Sequence, residues 1–293
     1  METTLDGTIS GPVRRPTNAS RDAKGSIHDD ATAQKLGFKG GTVAGSIHME
    51  QFPPLLAQAL GDDWYRTGSL STYFLNATTD GEPVQAFVGQ VTDRPEGGRR
   101  AEVWMLDEAT GLRVLEGSAS VGPTDEASNL RVRIPSVRPP GELRLLSASK
   151  VGDGVTDVPV RVTLERSLER VTLITEDLPA YHEPSVFGEI ACAPTMVVDA
   201  MRSVEVPLWR PTSNYVGLFG AIEVQMLDGP MFVDHDYFCD GKVLALSDSP
   251  KTEVIWYETT LKDAKDKRPV ARMILMSRLL KASAAAWAKY QSA

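Results

Sequence analysis

Few side chains in this sequence are suited to chemistry. There are four histidines, His28, His48, His182 and His235. Histidine titrates near neutral pH and can carry a proton between a substrate and water. His48 stands three residues after Gly45, so within a helix the two share a face; it is either a second cleft residue or a histidine packed under a sheet. Glu50 follows on the same segment. Asp234-His235-Asp236 has the residue types of a metal site. On a strand, however, the two carboxylates point to one face and the imidazole to the other, so no metal site is expected there. Tyr181-His182-Glu183 forms a second polar cluster. Cys192 and Cys239 have no neighbouring cysteine at ligand spacing and read as buried free thiols in a reducing cytoplasm. No GxGxxG loop follows a strand, and no Walker loop, zinc-type spacing or G-x-S-x-G elbow occurs. No cofactor and no metal are expected.

The elements that must position these groups are legible from periodicity. Thr42 to Leu60 has apolar residues at helical spacing, interrupted by Pro53-Pro54, which predicts a kink or break near Gln51. A shorter helix is expected at Asp29 to Leu36. Strands follow at Ser69 to Asn76, Pro83 to Val91, Ala101 to Leu106 and Leu112 to Val121, with turns at Asp80-Gly81, Glu96-Gly97-Gly98 and Thr110-Gly111. A Pro-, Gly- and Ser-rich crossover comes next, with a strand expected at Leu143 to Leu146. The order then repeats: strand at Val160 to Thr175, helix at Ala193 to Val204, and strands at Tyr215 to Met226, Met231 to Phe238, Glu253 to Leu261 and Val270 to Leu280. A helical tail is expected at Ala282 to Tyr290. Ala44 to Asp80 and Ala193 to Asp228, each running from a helix start to an Asp-Gly turn, have nearly equal spacing, which argues for duplication. The expected organisation is a first half at residues 1–125, a crossover at 126–157 and a second half at 158–293.

The stretch Gly25 to Gly45, containing His28, Asp30, Ala33, Phe38 and Gly45, resembles the MaoC-like, (R)-specific enoyl-CoA hydratase family of hotdog proteins. Gly117-Ser118-Ala119-Ser120-Val121 is similar to that family's last strand. The resemblance implies an α+β double hotdog fold, two antiparallel sheets each wrapped around a central helix. It further implies that His28 acts as acid and base, an Asp holds the same water, and the Gly45 backbone N–H polarises a thioester carbonyl. The sequence departs from the family at the Asp: Ala23 occupies that position and Asp22 sits one residue earlier. Either Asp22 takes the role through a one-residue insertion, or the carboxylate is absent. Hotdog thioesterases use a carboxylate on this helix or its leading loop, which keeps Glu50 in view. The second half lacks the Asp and Asn positions around His182 and reads as a degenerate partner.

The function expected from the resemblance is addition or removal of water at an α,β-unsaturated or β-hydroxy acyl thioester, or a related carbonyl compound. The alternatives are a hotdog thioesterase or tailoring enzyme in the same cleft, and a non-catalytic acyl- or polyketide-binding protein. Catalysis is assigned to His28, Asp22, Gly45 and His48, and substrate binding to Phe74, Trp104 and Met196. Polar chemistry is expected from the first half and mainly apolar walls from the second. The partner is a small molecule, with CoA, an acyl carrier protein and a free substrate all open, as is homo-oligomerisation. The net charge of −8 gives no long-range attraction to nucleic acid or anionic lipid. No run approaches the roughly 20 apolar residues of a membrane span, and the N-terminus lacks the apolar core of a signal peptide. The expected setting is the cytoplasm.

Overall fold

The computed structural model describes residues 1–184 and 186–290. Among these, twelve strands form: β1 (Glu2–Thr3), β2 (Ile9–Ser10), β3 (Ser69–Phe74), β4 (Val84–Val88), β5 (Thr92–Asp93), β6 (Arg99–Asp107), β7 (Arg113–Val121), β8 (Gly154–Arg161), β9 (Gly217–Met226), β10 (Asp236–Asp248), β11 (Thr252–Asp263) and β12 (Pro269–Leu280). The helices are α1 (Asp30–Lys35), α2 (Gly45–Met49), α3 (Pro53–Leu60), α4 (Trp64–Thr67), α5 (Leu164–Val171), α6 (Pro194–Met201) and α7 (Glu205–Leu208). The strands make one antiparallel sheet in the order β1-β2-β4-β6-β7-β3-β9-β12-β11-β10-β8, with β5 beside β6. Alternation of side chains builds it: Val84, Ala86 and Val88 of β4 and Ala101, Val103 and Met105 of β6 are buried, while their neighbours face the other way.

The sheet order carries the duplication. From the β3–β9 junction outward, the first half runs β3, β7, β6, β4, β2 and the second β9, β12, β11, β10, β8. In each half the strand preceding the helices lies at the far end, and the strand following them lies at the junction. The junction pairs Ser69 with Gln225 through Tyr73 with Ala221, and the Thr72 hydroxyl donates to the Ile222 carbonyl at 3.0 Å. Met49, Phe52, Leu55 and Leu56 from the first half's helices share one apolar core with Met196, Val197 and Met201 of α6.

The helix expected at Thr42 to Leu60 divides into α2 and α3. Pro53 and Pro54 fill the first positions of α3, where a missing N–H costs nothing. Other expectations need correction. Leu143 to Leu146 is not a strand: the backbone N–H groups of Arg144, Leu145 and Leu146 donate to the Glu253 carboxylate at 2.8, 2.9 and 2.8 Å, so a side chain replaces a strand partner. The strand expected at Val160 to Thr175 stops at Arg161. Thr163 caps α5 by accepting from the Arg166 N–H, and α5 turns Ser167 and Val171 inward. Of the strand expected at Met231 to Phe238, Val233 and Asp234 form a turn with Asp234 at φ 58°, and β10 begins at Asp236. The tail forms short 3-10 segments at Lys281–Ser283 and Ala285–Tyr290. No helix of the described residues is long and apolar enough to cross a membrane.

Candidate active site

His28 sits in a loop knitted together by its own backbone. The Thr42 N–H donates to the Ile27 carbonyl at 3.1 Å, Asn18 Nδ2 donates to the His28 carbonyl at 2.8 Å, and the Gly41 N–H donates to Asp30 Oδ1 at 2.7 Å. Gly41 passes so close that a Cβ would lie 2.1 Å from the His28 carbonyl oxygen, so no side chain fits there. The His28 ring is fixed by Nδ1, 2.7 Å from the Thr42 carbonyl. A carbonyl can only accept, so Nδ1 carries the proton and Nε2 of the neutral ring is left with its lone pair. Burial holds the imidazole below its ordinary pKa; the Thr42 bond works the other way, and nearby Arg202 lowers it further. The ring is therefore neutral at pH 7, with Nε2 available as a base.

Gly45 opens α2, so its N–H has no partner within the helix. The Phe74 ring lies over it: a Cβ on Gly45 would come 2.5 Å from Phe74 Cζ. His28, Gly45, His48 and Phe74 line one cavity of about 1010 Å³. His48 is buried, with Nε2 2.8 Å from Thr78 Oγ1, and burial pushes its pKa down to about 4.

The second half contributes charge to the same cavity. Arg202 and Glu205 line it and form a two-pronged ion pair, Nε to Oε1 at 2.8 Å and Nη2 to Oε2 at 2.7 Å. The Tyr257 hydroxyl donates to Glu205 Oε1 at 2.7 Å, and Arg202 stacks 4.7 Å from the Phe219 ring centre. Burial works against the Arg202 charge, yet Glu205, Tyr257 and Asp199 hold its pKa above the ordinary value. The expected division between a polar first half and apolar second-half walls is thus overturned.

No protein-family model matches the sequence, and no curated protein matches it. Solved structures do match. A Chloroflexus aurantiacus protein assigned as a MaoC domain dehydratase superposes with a TM-score of 0.65 at 14% identity, over 94% of this chain and 95% of that one. A Mycobacterium tuberculosis protein with a double hotdog fold gives 0.63 at 11% identity, over 94% and 97%. A MaoC-like dehydratase gives 0.54 at 15% identity, over 94% and 98%. Together with the duplicated sheet order, these settle the fold. The chain is a double hotdog protein.

The double hotdog does not bring all the expected residues together. Asp22 is exposed on the turn before His28 and does not line the cavity. Asp29 is spent on Thr32 Oγ1 at 2.7 Å and on Lys24, and Asp30 on Gly41, so the loop offers no carboxylate to the cavity. Trp104 faces away: its β6 neighbours Val103 and Met105 point into the core, and Trp104 stacks on Phe87 at 5.4 Å. Met196 is buried in the core beneath the sheet and does not reach the cavity lining. Glu50 is fully buried at the start of α6, accepting the Thr195 N–H, and burial pushes its pKa up to about 8. Asp236 pairs with Arg161 and His235 with Glu189. Arg202 and Glu205 escape the sequence reading, although their i, i+3 spacing just after an apolar helix is a visible ion-pair signal.

Backbone bonds also identify the true counterpart of His28 in the second half. The Ala191 N–H donates to the Ala180 carbonyl as Thr42 does to Ile27, and Cys192 to Met231 as Val43 does to Thr78. The register aligns Tyr181, not His182, with His28, and Pro194 with Gly45. Tyr181 is buried, and its hydroxyl has no partner among the described residues. His182 is exposed and pairs with Asp177.

Proposed function

We propose that this protein is a MaoC-like hydro-lyase acting on an α,β-unsaturated or β-hydroxy acyl thioester. The observation that carries the reading is His28, held by Thr42 with Nε2 unprotonated, in one cavity with the Gly45 N–H. In hydration, Nε2 takes a proton from water as its oxygen attacks the β-carbon. The C=C electron pair moves toward the thioester carbonyl, and the Gly45 N–H stabilises the enolate oxygen that develops. The imidazolium then returns the proton to the α-carbon; dehydration is the reverse. Phe74, Phe219 and Trp209 supply apolar wall for the acyl chain. His48 supports the site as a neutral ring bonded to Thr78. In this reading α2–α3 and α6 are the central helices around which the halves curl, Asp22 is not His28's partner, and the setting is cytoplasmic. The MaoC-like resemblance of Gly25 to Gly45 supports the family assignment, and the MaoC-like structural neighbours are compatible with it.

The test is hydration of crotonyl-CoA, followed by loss of the enoyl-thioester absorbance. His28→Ala should lower turnover by about 100-fold or more, the scale of lost acid–base catalysis, while Asp22→Asn leaves it unchanged. The lack of a loop carboxylate at the cavity favours one second reading, an acyl-binding protein without turnover. On that reading, saturated acyl-CoA binds and crotonyl-CoA is never hydrated.

A further inference from the structure

Arg202 is oriented more rigidly than a wall residue requires. Glu205 takes the Nε–Nη2 edge of the guanidinium, Tyr257 holds Glu205 in place, and Phe219 covers one face of the plane. The other edge, carrying Nη1, makes no hydrogen bond to a described residue, and the side chain borders the cavity. A guanidinium fixed on one edge presents two parallel N–H donors on the other, the geometry that matches a carboxylate. The surrounding charge agrees. The chain has a net charge of −8, yet the cavity is lined by Arg138, Arg202, Lys251 and Arg278 against Glu205 and Asp248. Arg138 and Lys251 are exposed, whereas Arg202 and Arg278 are partly buried; of these two, Arg278 donates through Nη2 to the Tyr73 hydroxyl at 2.8 Å, which leaves Arg202 with the unengaged edge. The inner cation therefore faces the part of a ligand that enters deepest, the acyl chain.

Resting on the thioester reading above, we propose that the substrate's acyl group carries a carboxylate and that the free edge of Arg202 is its specificity-determining anchor. The thioester is then that of a dicarboxylic acid. Its carbonyl lies toward Gly45 and its distal carboxylate on Arg202. Glu205 acts through Arg202: it orients the guanidinium and partly offsets its charge.

Calorimetric binding of succinyl-CoA and butyryl-CoA tests this, because the two acyl chains match in length and differ by carboxylate against methyl. Neither needs turnover, so the result is independent of whether His28 performs hydration. The wild type should bind succinyl-CoA about 10- to 100-fold more tightly, the scale of a charge-assisted hydrogen-bonded pair. Arg202→Met should bring the two within about threefold while leaving butyryl-CoA unchanged, and that unchanged binding reports that the variant is folded. Should Arg202→Met fail to fold, Glu205→Gln decides the matter: it keeps a hydrogen-bonding partner for Arg202 but removes the opposing charge, so the preference for succinyl-CoA should widen several-fold. Equal binding of both probes by the wild type overturns the proposal. So does equal weakening of both by Arg202→Met, or an unchanged preference in Glu205→Gln. If neither thioester binds, the thioester reading fails and takes the anchor with it. If crotonyl-CoA is hydrated but succinyl-CoA is not preferred, the anchor alone fails.

Discussion

The two loops that lead into α2 and α6 share a backbone frame and differ in what they place on it. In the first half the frame holds His28 and Gly45; in the second it holds Tyr181 and Pro194. A tyrosine in a buried site keeps its proton, and the burial around Tyr181 drives its pKa well above the ordinary value. Proline has no N–H, so the donor that Gly45 keeps is missing. At the next residue the Thr195 N–H is occupied by Glu50 from the opposite half. The second loop therefore offers neither an imidazole nor a free N–H at these positions, and its helix start is capped by Glu50. The second half contributes instead from beyond the helix: α6 leads directly to Arg202 and Glu205, which line the cavity that the two halves share. The same frame is thus repeated in the two halves, with a cavity beside His28 in one and a filled core around Tyr181 in the other.

This contrast can be tested at several positions. The largest difference is expected at the aligned pair itself: His28→Ala should cost about 100-fold in turnover, whereas Tyr181→Phe should leave turnover within about twofold. Comparable losses in both would erase the contrast.

Glu50 comes next. Its folded pKa of about 8 lies above the ordinary carboxylate value. The folded state therefore holds a proton that the unfolded state has released, and stability falls as pH rises from about 4.5 to about 8. Glu50→Gln keeps an acceptor for Thr195 without the charge. It should match the wild type near pH 5 and exceed it by about 2–4 kcal/mol at pH 8 in urea unfolding. A variant less stable at pH 8 would show that the carboxylate is ionised and compensated.

A smaller effect is expected at the helix starts. Gly45→Ala drives a methyl into the Phe74 ring and should cost about 1–3 kcal/mol, while Pro194→Ala should stay within about 1 kcal/mol. The smallest is the stability of Tyr181→Phe. Removing a buried hydroxyl that has no partner among the described residues should be neutral or slightly stabilising, within about 1 kcal/mol; a clear loss would reveal a bond to that hydroxyl.

Much of the first half is legible in its residues. Proline placement locates the break between α2 and α3, strand alternation places β4, β6 and β7, and the Gly25–Gly45 stretch points to His28 and Gly45. Four features are not legible in the same way. Residue type alone makes Trp104 a wall candidate, whereas counting along β6 from Val103 and Met105 turns it outward. Residues 143–146 look strand-like by composition but are held by Glu253, more than a hundred residues away, and no local pattern encodes such a partner. The equivalence of Tyr181 with His28 is hidden because the second loop is shorter, so matching histidine to histidine selects the exposed His182. Arg202 and Glu205 reach the cavity only because β3 and β9 join the halves, a long-range fact that local spacing does not contain.

The central claim is that proton transfer belongs to the His28 loop alone, through Nε2. The most direct test is the pH dependence of kcat/KM for hydration of crotonyl-CoA by the wild type, His28→Ala and Tyr181→Phe. Because burial lowers the His28 pKa, the wild type should keep its activity down to a pH below the ordinary histidine range and lose it only when Nε2 is protonated. Tyr181→Phe should reproduce that limb, and His28→Ala should abolish both the limb and at least about 100-fold of the rate. A wild-type limb that survives in His28→Ala, or vanishes in Tyr181→Phe, would contradict the account.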